Sequence, residues 1–236
     1  MLSFKEPFII MKKELRDYFV SPIAYIVITI FLVFTGFFFF KDFFYFNQAE
    51  MRNLFQLLPL MFTFVIPAIT MRLFSEEKQS GSFEILMTLP VTTVDAVIGK
   101  FLAGLVFVLI MLSPTLVYLI TVILAGSPDF GPIIGGYLGA IFLAGAYISI
   151  GIFFSSMSKN QIIAFIIGWA ACFFLWLIDK IVLFLPSPLS FFEYLGSDFH
   201  FQNVSKGILD LRDIIYFLSI IIIATLLTTK NLEERR

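Results

Sequence analysis

Residues 101–125, FLAGLVFVLIMLSPTLVYLITVILA, contain no Asp, Glu, Lys or Arg. A bilayer hydrocarbon core of about 30 Å takes roughly 20 apolar residues of helix, so this stretch alone is long enough to cross one. The rest of the chain repeats the pattern. Runs at 22–40, 54–71, 96–125, 132–155, 161–185 and 214–229 are all predominantly apolar. The last is short, while the third and fifth leave room for tilt, a kink or a non-spanning end. Continuous runs of this kind argue against a β-barrel, whose strands alternate over segments of about ten residues. Composition agrees: of 236 residues, 59% are apolar and 14% charged, with a mean hydropathy of +0.97, whereas soluble domains are about 25% charged. The sequence predicts an all-α, polytopic membrane protein with six transmembrane helices in one domain, 1–236.

Several function classes fall away on composition. Sixteen basic against 17 acidic residues leave a net charge of −1, which provides no basic field for nucleic acid. One Cys and one His exclude a disulfide framework and a His/Cys metal cage built within the chain. His200, between Phe199 and Phe201, reads as an ordinary surface imidazole, and no nucleophile–base set accompanies it. Gly99-Lys100 has the ending of a phosphate-binding loop, but Val94 and Phe101 stand where that loop needs Gly and Ser/Thr. No cofactor is expected in this chain. The first span follows Lys5, Lys12, Lys13 and Arg16 without a small-residue cleavage site, so it is expected to stay in the mature protein.

Orientation follows from basic residues in the connections. The side carrying both termini holds 11 Lys and Arg and the other side five, so both termini are expected to be cytoplasmic. Residues 4–20 read as a surface helix, with Phe8, Met11, Leu15, Tyr18 and Phe19 gathered on one face by three- and four-residue spacing. Lys12, Lys13, Glu14, Arg16 and Asp17 cover the remainder. The connection 72–100, RLFSEEKQSGSFEILMTLPVTTVDAVIGK, carries more. A short helix is expected at 81–89, with Ser82 as N-cap, Glu84 in the positive first turn, Phe83, Leu86 and Met87 on one face, and Pro90 as its end. An apolar face on a short helix between two spans wants a partner surface; Glu76 and Glu77 preceding it read equally as a solvated acidic pair.

The fourth span presents small residues in two stripes, Gly135 with Gly139 and Gly136 with Ala140, that permit close helix approach; packing within the chain is favoured over a dimer seam. The connection 186–213 mixes apolar and charged residues and reads as short helices at the outer leaflet. Asp179 and Lys180 are placed at an interface, because charge at mid-bilayer costs about 2.5–3.5 kcal/mol or more.

With these residues in place, the chain resembles the ABC-2 class of transporter permeases (the type V exporter-like fold), and within it the gliding-motility-associated permease subunit. The resemblance rests on KKELRDYFVSPIAYI, on SEEKQSGSFEILMTLPVTTVDAVIGK and on FHFQNVSKGILDLRDIIYFLS. It implies an exporter permease of the inner membrane that pairs with a second permease subunit, identical or different. The different one would carry a large extracytoplasmic domain. It also implies a cytoplasmic ABC ATPase dimer, which would hold the ATP and Mg. By the same resemblance, 81–89 is a coupling helix in which Glu76, Glu77, Gly81, Ser82, Phe83, Glu84, Leu86 and Pro90 dock the ATPase. Residues 4–20, including Phe8, Met11, Leu15 and Arg16, become an elbow helix. A non-transporting scaffold of an envelope or motility complex is the alternative.

Overall fold

The computed structural model describes residues 5–45, 50–84, 91–126, 128–182 and 187–234, side chains of 42 and 187–190 excepted. Among them the protein is helical, with no strand. The helices are α1 (Lys5–Val20), α2 (Pro22–Tyr45), α3 (Arg52–Thr70), α4 (Arg72–Ser80), α5 (Thr93–Leu112), α6 (Leu116–Ala125), α7 (Phe130–Met157), α8 (Gln161–Val182), α9 (Ser197–Ser205) and α10 (Leu211–Glu233). Six helical stretches among the described residues are long and apolar enough to cross a membrane, two of them composite: α3 with α4, and α5 with α6.

Local chemistry sets the boundaries. A reciprocal cap starts α5: the Asp95 amide donates to Thr92 Oγ1 at 3.1 Å, and the Thr92 amide to Asp95 Oδ2 at 3.3 Å. Asp129 caps α7 and Asp210 caps α10, each accepting from the amide two residues on. The third hydrophobic run is divided by a 3₁₀ turn at Ser113–Thr115. Pro114 has no N–H to continue the ladder, and Ser113 and Thr115 hydroxyls donate back to the Ile110 and Leu112 carbonyls.

The bundle is built around α3 and α7. Their most apolar windows are 61% and 67% buried, against 17% for α8 and 22% for α10. Small residues on α7 bring its neighbours close. A Cβ on Gly136 would run into the Phe55 ring of α3, and one on Gly151 into Thr70 of the same helix. On the other side a Cβ on Gly135 would strike the Val204 carbonyl, and one on Gly139 would lie 3.2 Å from Phe201 of α9. Ala140 is fully buried between them. Helix α9 therefore folds back onto α7, burying Phe201 and Val204.

Candidate docking site on the face of the termini

The sequence RLFSEEKQS does not form a loop after the second span. It continues as α4, with Met71 itself helical at φ −53°, ψ −34° and its N–H bonded to the Pro67 carbonyl at 2.9 Å. Arg72 and Glu76 pair one turn apart at 3.4 Å. Gly81 then stops the helix at φ 77°, the left-handed conformation that glycine adopts without a Cβ penalty. Residues 82–84 form a further helical turn in which the Glu84 amide donates to the Gly81 carbonyl at 3.3 Å. This further turn begins at Ser82, within the expected start at 81–82, and the Ser82 hydroxyl meets Ser80 Oγ at 2.9 Å. Ser82 and Glu84 are exposed. Phe83 is half-buried, edge-on to Phe74, with the Lys78 ammonium 5.1 Å above its ring. Leu86 and Pro90 lie outside the described residues.

The base of α4 is held by a buried cation. Lys100, 1% exposed, donates to Glu14 Oε1 at 2.8 Å, to Glu77 Oε1 at 2.8 Å and to the Leu73 carbonyl at 2.6 Å. Its three ammonium protons are thereby all used, and the Phe74 ring lies 4.9 Å away. Lys13 stands 3.5 Å from each of the two carboxylates, so two cations face two anions. Burial draws the Lys13 ammonium down, but Glu14, Glu77 and Asp17 outweigh it and leave its pKa raised. Glu76 sits on the exposed side of α4, whereas Glu77 points inward, its Oε2 buried without a partner among the described residues. The acidic pair is thus divided between two environments.

Helix α1 packs here by the expected face, Met11, Leu15, Tyr18 and Phe19, with Phe8 outside it and Glu14 added. Pro7, Ile10, Glu14 and Tyr18 are buried; Met11 and Leu15 are half-buried; Phe8 and Arg16 are exposed. Glu14, expected among the solvated residues, is inside because Lys100 is there to receive it. A carboxylate is stable in such a site only when paired. Gly99 permits the approach: a Cβ there would stand 2.7 Å from Ile10 Cβ and 2.8 Å from the Pro7 carbonyl oxygen. Tyr18 donates to the Ile69 carbonyl at 3.0 Å, beneath the Arg72 guanidinium. Burial first, then Glu14, holds the phenol well above its ordinary range, so it stays a donor.

Helix α7 supplies the last support. The first-turn amides of α4 receive no cap from Met71. Ser155 Oγ of α7 takes that role from outside the segment, accepting from Phe74 N at 3.0 Å and Ser75 N at 3.1 Å while donating to the Met71 carbonyl at 2.7 Å. The adjacent Ser156 carbonyl accepts from Lys78 and from Asn231 of α10. Helices α1, α5 and α7 thus converge on α4.

Sequence reasoning missed Lys100, Glu14 and Ser155 as site residues. A signal existed for the first: Ala96, Lys100, Ala103 and Phe107 recur at helical spacing on the buried side of α5.

The opposite face carries a second polar cluster. His200 is 5% exposed, not a surface imidazole. Its Nδ1 lies 2.5 Å from Asp213 Oδ1, its Nε2 2.9 Å from the Tyr194 carbonyl, and its ring stacks on Tyr216. Both nitrogens being engaged, the ring has no atom left for proton transfer to a ligand. Lys180 bridges Asp179 at 3.4 Å and Asp198 of α9 at 2.6 Å near the end of α8. Among the described residues no three His, Cys, Asp or Glu side chains group as a metal site.

A family model described as ABC-2 family transporter protein matches residues 8–233. No curated protein gives a significant match.

Proposed function

The chain belongs to the ABC-2 transporter family as a multi-pass membrane permease, and from that premise we propose that it is the export permease through which a cytoplasmic ATPase dimer drives a substrate across the inner membrane. The termini and α4 then face the cytoplasm, in line with the excess of Lys and Arg on that side. The permease pairs with a second permease subunit, in the manner of the gliding-motility-associated branch. ATP and Mg stay on the partner, and this chain contributes no catalytic residue.

The observation that carries the reading is the turn at residues 81–84. It presents Ser82 and Glu84 to solvent at the tip of a helix whose base is fixed to α1, α5 and α7. Movement imposed on this turn reaches α5 through Lys100 and α1 through Glu14, so the base of the α5 span and the surface helix α1 shift with it. Such a joint suits rigid-body rocking of the permease between inward- and outward-facing states. Phe83, Gly81 and Glu76 complete the docking surface, with the elbow helix α1 moving beside it.

The test is co-purification of the permease from gently solubilised membranes, followed by mass spectrometry, for the native chain and Glu84→Lys. An ATPase subunit is expected with the former and lost, by about tenfold or more for a reversed charge contact, from the latter. Equal ATPase recovery and equal transport in both would sink the docking assignment.

A further inference from the structure

On the face opposite the termini, the start of α3, the end of α6, the start of α7 and the end of α9 enclose a cavity of about 370 Å³. These are the ends of hydrophobic spans, so the cavity lies where hydrocarbon gives way to headgroups. Its floor is apolar, built from Phe55, Val122 and Ile133, and its rim is charged, with Arg52, Lys206, Glu50 and Asp129.

The rim charges are not spent on one another. Arg52 and Lys206 are exposed and enter no ion pair among the described residues. Asp129 is engaged in capping α7, accepting from the Gly131 amide at 3.1 Å. Glu50, exposed beside Met51, also forms no ion pair there. Two cations for a phosphate, one uncommitted carboxylate for an ammonium and an apolar floor beneath describe one amphipathic ligand. A free phosphate would meet Arg52 and Lys206 equally well but would be repelled by Glu50 and Asp129, and it has no use for Phe55 or Val122. Dense negative charge is therefore disfavoured, and a zwitterion is favoured.

We propose that this cavity binds the headgroup of a zwitterionic phospholipid. The phosphate diester lies between Arg52 and Lys206, the ammonium faces Glu50, and the acyl chains continue along the apolar outward faces of α6 and α7. The site sits on the face away from the α4 turn, so it stands or falls independently of ATPase docking.

Native mass spectrometry of the purified chain in detergent tests it, with phosphatidylethanolamine, phosphatidylglycerol and inorganic phosphate as probes. Phosphatidylethanolamine adducts are expected on the native chain. In Arg52→Gln/Lys206→Gln they should fall about tenfold or more, as for loss of charge-assisted bonds, with the lipid-free unfolding midpoint unchanged. Glu50→Gln should erase the preference for phosphatidylethanolamine over phosphatidylglycerol while retaining both adducts. The proposal is overturned by equal adducts in native chain and double variant, or by their absence from both. Displacement of the lipid by inorganic phosphate at equal concentration would also overturn it, leaving a site for a free anion.

Discussion

Replacing Lys100 by Met removes the cation from beneath α4 while nearly preserving side-chain volume. The native ammonium satisfies two carboxylates and a carbonyl at 2.6–2.8 Å. In the variant, Glu14 and Glu77 keep their charge with only Lys13, itself largely exposed, near them. Removing one partner of a buried ion pair costs about 3–5 kcal/mol, because the other is left charged and dry. For a chain of this size, about 2–4 °C accompany each kcal/mol, so the unfolding midpoint in detergent should fall by roughly 6–20 °C. The informative comparison is Lys100→Met/Glu14→Gln/Glu77→Gln, in which no buried charge remains. Neutral replacement of a buried pair is often without cost, so this triple variant should recover most of the loss. Hydrogen exchange should localise the single variant's effect to α1 and α4. A loss below about 1 kcal/mol in the single variant, too small for a stranded buried charge, would refute the reasoning. So would a triple variant no more stable than the single.

Gly99→Leu should push α1 away from α5, since even a Cβ meets Ile10 and the Pro7 carbonyl; overpacking of this kind costs about 1–3 kcal/mol, read as faster amide exchange across Lys5–Val20 with the spans unaffected. Ser155→Ala deletes the acceptor for the Phe74 and Ser75 amides. A loss of about 1–2 kcal/mol is expected, as for a helix cap, with exchange rising at 73–77 and not in α10.

The six spans were legible because apolar length is a property of the chain itself. The helix ends were less so. Hydropathy delimits 214–229, yet α10 runs Leu211–Glu233, since Asp210 caps it and Asp213 is paired to His200 inside the fold. The break in the third run was written in Ser113-Pro114. The Lys100 cluster was not written anywhere locally: its partners lie 86 and 23 positions away. A lysine at the start of an apolar run looks the same whether it faces water or two carboxylates. His200 misled for the same reason, its burial being decided by Asp213 and Tyr216 from another helix. The turn at 82–84 was partly legible, a helix being expected from 81, but the helix that carries it was hidden in a polar stretch. Its cap comes from Ser155, 80 residues beyond Ser75.

Helices α3 and α4 follow one another as one helical stretch from Arg52 to Ser80, 29 residues or about 43 Å at 1.5 Å per residue, with Ser155 serving the amides of Phe74 and Ser75 at the junction. Ser155 grips this rod at Met71, so the grip divides it unequally: 19 residues on one side and nine on the other. A rod pivoted off-centre has mechanical advantage. In the proposed rocking motion, each ångström of sideways travel at the short end would become about 2 Å at the long end, by the ratio of arm lengths at constant rise. Pro59 and Pro67 take some of that gain as bending. In the rocking motion proposed above, the serine on a neighbouring helix would be the fulcrum, and its position along α3–α4 would set the gearing between the two faces of the molecule.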